Sequence, residues 1–181
     1  VPLRNLFKND KNVKTILSEV KEINREKKEI TLDNAEVISY DKLIISAGSS
    51  YSFFGKNEWS KFAKGLKVIN DALDIREKIL KAFEKAENEK DERIRKKYLN
   101  FVIVGGGPTG VELAGSIAEI AYKNMTKEFR NFSSTDANIY LLEAGDRILP
   151  SYSESLAKKS NKFLNDLGVK VKTKERVENI E

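Results

Sequence analysis

The run Asn100-Phe-Val-Ile-Val-Gly-Gly-Gly-Pro-Thr-Gly-Val-Glu-Leu-Ala-Gly115 sets a short apolar strand, a glycine turn and a helix start in immediate succession. Phe101 to Val104 is β-branched and aromatic, the pattern of a parallel strand covered on both faces. Gly105, Gly107 and Gly110 then spell G-x-G-x-x-G where that strand ends. The first glycine permits a tight turn, the second lets backbone approach a phosphate, and the third lets helix and strand pack closely. Pro108 suits a first helical turn because its missing N–H would have no partner there, and Leu113, Ile117, Ile120 and Ala121 follow at helical spacing. The free N–H groups and positive dipole end of such a helix face an anion.

Glycine triplets also occur in plain turns, so the flanks decide. Asn138 to Glu143 reads as a second strand ending in a carboxylate, the position from which a dinucleotide fold binds a ribose 2′-hydroxyl. Glu143 lies 33 positions beyond Gly110, more than the usual ~20, and the excess falls in the polar stretch Thr126 to Asp136, read as an insertion. Leu156, Phe163, Leu164 and Leu167 then share a helical face, Gly168 suits the stop, and Val169 and Val171 alternate as a third strand. The order β-α-β-α-β predicts a Rossmann-like parallel sheet. An α/β unit whose glycines serve packing alone is the other reading.

Upstream the pattern changes. Ile30 and Leu32 alternate with polar residues, and Asp33-Asn34 is a turn signal before Val37-Ile38, which together predict a small antiparallel meander. It leads into Leu43-Ile44-Ile45, a buried-strand signature ending in the five small residues Ser46 to Ser50. The fold class is therefore α/β, a Rossmann-like parallel sheet with helices plus an antiparallel β-meander piece. Phe53, Phe54, Trp59 and Phe62 read as packing residues, and Ala72, Ile75, Ile79, Leu80, Phe83 and Ala86 as a helix capped by Asn70 or Asp71. The charged tract Glu84 to Lys97 continues that helix or forms its exposed exit.

Composition excludes several chemistries. The chain has no cysteine and no histidine, so it offers no thiolate, no redox disulfide and no imidazole base, and any redox chemistry must come from a cofactor. Carboxylates are spaced for neither a calcium loop nor a zinc site, and no metal is expected. The net charge of +5 comes from lysines interspersed with glutamates, the pattern of a solvated face rather than a nucleic-acid surface. No apolar run is long enough for a membrane helix and no signal sequence is visible, so the expected location is cytoplasmic.

Residues 104 to 115, Val-Gly-Gly-Gly-Pro-Thr-Gly-Val-Glu-Leu-Ala-Gly, closely resemble the NADH-binding signature of type II NADH dehydrogenases, flavoenzymes that pass electrons from NADH to a quinone. Tyr40-Asp-Lys-Leu-Ile-Ile-Ser-Ala-Gly-Ser49 is similar to that family's second flavin motif, with Ser46-Ala47-Gly48 standing where the family has Ala-Thr-Gly. Ser18-Glu19-Val20 matches the point where the family's meander meets the flavin adenine through backbone atoms, and Glu143 to Pro150 resembles the segment after the NADH domain's second strand. The resemblance implies FAD and NADH as cofactors, with residues 1–55 as part of an FAD domain and 56–181 as an NADH domain. It places Val20, Ser46, Ala47 and Gly48 against FAD, and Gly105, Gly106, Gly107, Pro108, Thr109, Gly110 and Glu143 against NADH. Glu112 becomes a carboxylate that relays protons or positions NADH near the flavin; on the residues alone it is an acid favoured by the helix dipole.

The resemblance also implies a central fragment of a longer enzyme, one that sits peripherally on the cytoplasmic membrane face and is able to pair as a homodimer. Alone, such a fragment is expected to be inactive. Glu143 favours NADH over NADPH, whereas Arg147, four positions on, could meet a 2′-phosphate, stack on adenine or sit in solvent. The alternatives are a non-redox NAD(H)-binding module and a related FAD/NAD reductase with another electron acceptor.

Overall fold

A computed structural model describes residues 2–48, 51–53 and 55–180. The chain divides into two compact units, Val1–Ser49 and Ser50–Glu181. The positions of Ser49, Ser50 and Phe54, named above as small or packing residues, lie outside the described residues.

The first unit holds a one-turn helix α1 (Leu3–Leu6) and three strands, β1 (Val20–Asn24), β2 (Glu29–Leu32) and β3 (Val37–Ser39). They form an antiparallel sheet in the order β1-β2-β3, with Ile23 opposite Ile30 and Ile30 opposite Ile38. Asp33-Asn34 makes the second turn as its residue types require: the Asn34 side chain accepts from the Glu36 N–H at 2.9 Å, and Ala35 sits at φ +65°. The Ser18 hydroxyl donates to Asp33, and this bond is the main reason the Asp33 carboxyl lies below its ordinary value.

The strand expected at Leu43-Ile44-Ile45 does not form. Those residues are irregular, with Ile44 88% and Ile45 67% exposed. A strand is stable only when a neighbour takes its N–H and C=O groups, and among the described residues none pairs with this segment.

The second unit opens with a 3₁₀ turn, Asn57–Lys61, that buries Trp59 under the Lys56 ammonium, 4.7 Å above the ring. Phe62 is more than half exposed, and Tyr51 meets Phe53 edge-on. Helix α2 (Ile69–Asn88) buries Ile79, Phe83 and Ala86, a spacing of four and three. Its cap differs from the expectation: Asp71 is the third helical residue and reaches back to accept from the Lys67 and Val68 N–H groups at 2.8 and 2.9 Å. The charged tract breaks at Glu89, and a second helix α3 (Glu92–Tyr98) restarts where the Asp91 carboxylate accepts from the Arg93 N–H.

Strands β4 (Asn100–Val104), β5 (Asn138–Glu143) and β6 (Val169–Thr173) pair in parallel in that order, linked by helices α4 (Pro108–Glu119) and α5 (Glu154–Asp166). Because the strands follow one another across the sheet, two right-handed crossovers put both helices on one face. That face packs Ile103, Ile139, Leu141 and Val169 against Ala114, Ile117, Ala118, Ala157 and Leu164. The opposite face is open, with Val102 56% and Val104 40% exposed, so β4 is not covered on both faces as its sequence suggested.

Two further expectations shift. The polar insertion joins the core: Phe129 and Phe132 stack at 4.8 Å and pack on Phe83, and the buried Ser134 hydroxyl donates to the Ala121 carbonyl at 2.6 Å. On α5 the inward residues are Ala157, Leu164 and, in part, Leu167, while Leu156 and Phe163 are 49% and 64% exposed. The inner stripe is set by the small-residue surface of α4, where a Cβ built on Gly115 would lie 3.9 Å from Leu164.

Candidate dinucleotide site

The turn after β4 is held from three directions. Gly105, at φ +106°, a backbone conformation open mainly to glycine, donates its N–H to the Leu142 carbonyl at 2.8 Å. Gly106 donates to Glu143 Oε2 at 2.7 Å and accepts from the Leu149 N–H at 2.7 Å. Gly107 caps α4, Pro108 is its first residue, and the Val111 N–H closes the first helical bond on the Gly107 carbonyl.

Each glycine answers a different steric demand. A Cβ at Gly110 would lie 1.9 Å from the Gly105 carbonyl oxygen, so helix and turn touch there through backbone. A Cβ at Gly107 would meet nothing within 4 Å, which leaves the open approach that a phosphate needs. The middle glycine, an unconstrained x in the motif, is also required: a Cβ on Gly106 would come within 2.8 Å of Ile148 and 3.0 Å of Glu143. Early N–H groups of a helix have no intrahelical acceptor, so those at the start of α4 point outward beside exposed Pro108 and Thr109.

Glu143 ends β5 half-buried, and its second oxygen accepts from the Gly145 N–H at 2.7 Å. The loop after it is tied to the strand that follows, Lys174 N–H to the Gly145 carbonyl and Glu175 N–H to the Glu143 carbonyl. Arg147 turns back on its own loop and donates to the Pro150 carbonyl at 3.1 Å and, more weakly, the Tyr152 carbonyl at 3.4 Å. Gly145, Ile148 and Leu149 therefore shape the turn although the motif does not name them. The signal available in the sequence was the third consecutive glycine and a glycine two places after the strand-ending carboxylate.

The fold thus brings Gly105 to Gly110 together with Glu143. Glu112 is exposed on the second turn of α4, just past the first turn where the dipole argument has most force. Val20, Ser46, Ala47 and Gly48 belong to the first unit: Val20 opens β1 half-exposed, and the other three are exposed and irregular, with Gly48 at φ +75°. Among the described residues no cluster of acidic side chains could hold a metal ion.

Residues 4–181 match the pyridine nucleotide-disulphide oxidoreductase family. The chain belongs to that family. Within it, the chain is 39% identical over 171 residues to the type II NADH:quinone oxidoreductase NdhA of Mycobacterium tuberculosis, a match that covers 93% of this chain and 36% of the relative. It is 34% identical over 172 residues to the external alternative NADH-ubiquinone oxidoreductase of Yarrowia lipolytica mitochondria, covering 95% of this chain and 28% of that protein. Among solved structures, NDH2 from Plasmodium falciparum in complex with NADH superposes with a TM-score of 0.74 at 28% identity over 91% of this chain and 34% of that one. The chain therefore spans about a third of the length of these family members. Their Rossmann-like architecture agrees with the parallel sheet and meander found here.

Proposed function

We propose that this chain belongs to a flavin-dependent oxidoreductase that moves hydride from NADH to FAD and on to a quinone. Residues 56–181 hold the NADH, and residues 1–55 contribute to the flavin site. The observation that carries the reading is the glycine turn itself, fixed by backbone bonds beside an oriented Glu143 and open at Gly107. The similarity to relatives named NADH:quinone oxidoreductases supports the choice of electron donor and acceptor.

In this reading the pyrophosphate lies over Gly107, Pro108 and Thr109, where outward N–H groups and the helix dipole favour an anion. Glu143 accepts a ribose hydroxyl and disfavours a 2′-phosphate. Arg147, already committed to the Pro150 carbonyl, offsets this little, so NADH is preferred to NADPH. Exposed small residues Ser46 and Ala47, the left-handed Gly48 and the half-exposed Val20 leave backbone accessible, which fits a flavin held through main-chain atoms. FAD, when bound, supplies the two-electron relay between nicotinamide and quinone.

Glu112 serves that reaction as a proton-relaying or NADH-positioning carboxylate. Glu112→Gln in the complete protein is expected to slow quinone reduction about tenfold or more while changing NADH affinity less. Unchanged turnover would remove Glu112 from the mechanism. No helix among the described residues is long and apolar enough to cross a membrane. In this reading the complete enzyme lies peripherally on the cytoplasmic membrane face and pairs as a homodimer. Stopped-flow mixing of the flavin-loaded protein with NADH tests the whole reading: bleaching of the flavin followed by recovery on adding quinone supports it, and NADH binding without bleaching points to a non-redox module.

A further inference from the structure

The contacts of Glu143 go beyond those a ribose-binding carboxylate needs. One oxygen accepts from the Gly106 N–H and the other from the Gly145 N–H, both at 2.7 Å. Gly106 is buried, and its carbonyl is engaged from the same loop by the Leu149 N–H at 2.7 Å. Leu149 makes that bond from φ +52°, a left-handed conformation that costs a branched residue free energy, with its side chain buried against the core. The peptide groups of a single glycine are thus gripped on one side by the last residue of β5 and on the other by the loop that follows it.

We propose that Glu143 is a positioning residue for the glycine turn, holding Gly106 in its nucleotide-ready geometry before any nucleotide arrives. The inference rests on the dinucleotide reading above but makes a claim about the empty protein as well. With Gly106 N–H consumed by Glu143, the anion-facing donors are those that follow it, and the turn does not need to reorganise on binding. A carboxylate suits this task because it offers an acceptor to each of two N–H donors at once. An amide in its place keeps one acceptor and turns an NH₂ group toward the other donor.

Amide hydrogen exchange and titration of the same samples test this. In nucleotide-free wild-type protein the Gly106 amide is expected to exchange at least about tenfold more slowly than that of Gly107, and Glu143→Gln to erase most of the difference while the Ile139 and Leu141 amides of β5 stay protected. Titrating NADH and its 2′-deoxyadenosine analogue then separates the two roles of the carboxylate. The clamp predicts that Glu143→Gln weakens both nucleotides, the deoxy analogue by roughly tenfold. A variant that weakens NADH alone would overturn the clamp, as would a wild-type Gly106 amide that exchanges as fast as Gly107. If wild-type protein bound neither nucleotide while Gly106 remained protected through Glu143, the dinucleotide reading would fall and the clamp would stand as a feature of the fold.

Discussion

The segment after β3 and the turn after β4 carry similar sequence signatures, an apolar run that ends in small residues, yet they reach different structural ends. Phe101 to Val104 is a paired strand whose exit glycines are fixed by bonds to Leu142, Glu143 and Leu149. Leu43 to Ile45 is unpaired and largely exposed, and Gly48 beyond it sits in open space. Local pattern specifies that a segment would suit a buried strand. Only neighbouring strands with free edges make it one.

The sharpest way to test this contrast is to add a methyl group at matching glycines. Gly110→Ala drives a Cβ into the Gly105 carbonyl, backbone against backbone, and is expected to destabilise the second unit by about 3–5 kcal/mol. Gly48→Ala meets no atom and carries only the left-handed penalty of about 1 kcal/mol. Urea unfolding followed by far-ultraviolet circular dichroism should show a large midpoint shift for the first change and a shift several-fold smaller for the second.

A smaller effect comes from side-chain truncation. Phe132→Ala removes a ring from the stack with Phe83 and Phe129 and should cost about 3 kcal/mol, although the surrounding sequence reads as a polar insertion. Ile44→Ser, in a stretch that reads as core, should change stability by no more than about 0.5 kcal/mol. Equal effects at the two positions would erase the distinction drawn between the two segments.

The smallest effect is a pH dependence at the start of α2. Bonds from the Val68 and Lys67 N–H groups hold the Asp71 carboxyl below its ordinary value of 3.8. The folded state therefore binds this proton less readily than the unfolded chain, so the contribution is fully present above pH 3.8 and is lost as pH falls through the lower, folded value. Thermal melts of Asp71→Asn should show a slightly shallower loss of stability on acidification than wild type. Identical slopes would mean that the cap adds nothing.

What the sequence disclosed follows the same division. The glycine turn, the helix behind it, the strand ending in Glu143 and the meander turn at Asp33-Asn34 are short-range devices, each requiring particular residue types at fixed spacing, and each is where the sequence places it. The open face of β4 was not legible, because Val102 and Val104 are as apolar as Ile103 and the side on which helices pack is decided by crossover handedness. The inward stripe of α5 was misread toward Leu156 and Phe163 because the helix meets α4 through small residues, and Ala157 looks neutral in a hydrophobic pattern. Gly106 was placed at the nucleotide by resemblance alone; its steric demand was not legible because it comes from Ile148 and Glu143, about forty residues away.

Calorimetric titration of NADH into this chain, alongside a Gly107→Trp variant, tests the central claim most directly. Saturable binding by wild-type protein is expected, and its loss when the indole fills the open approach at Gly107, with the helices of the variant intact by circular dichroism. Undiminished NADH binding by a folded Gly107→Trp protein would contradict the claim, since the nucleotide would then sit somewhere other than the glycine turn.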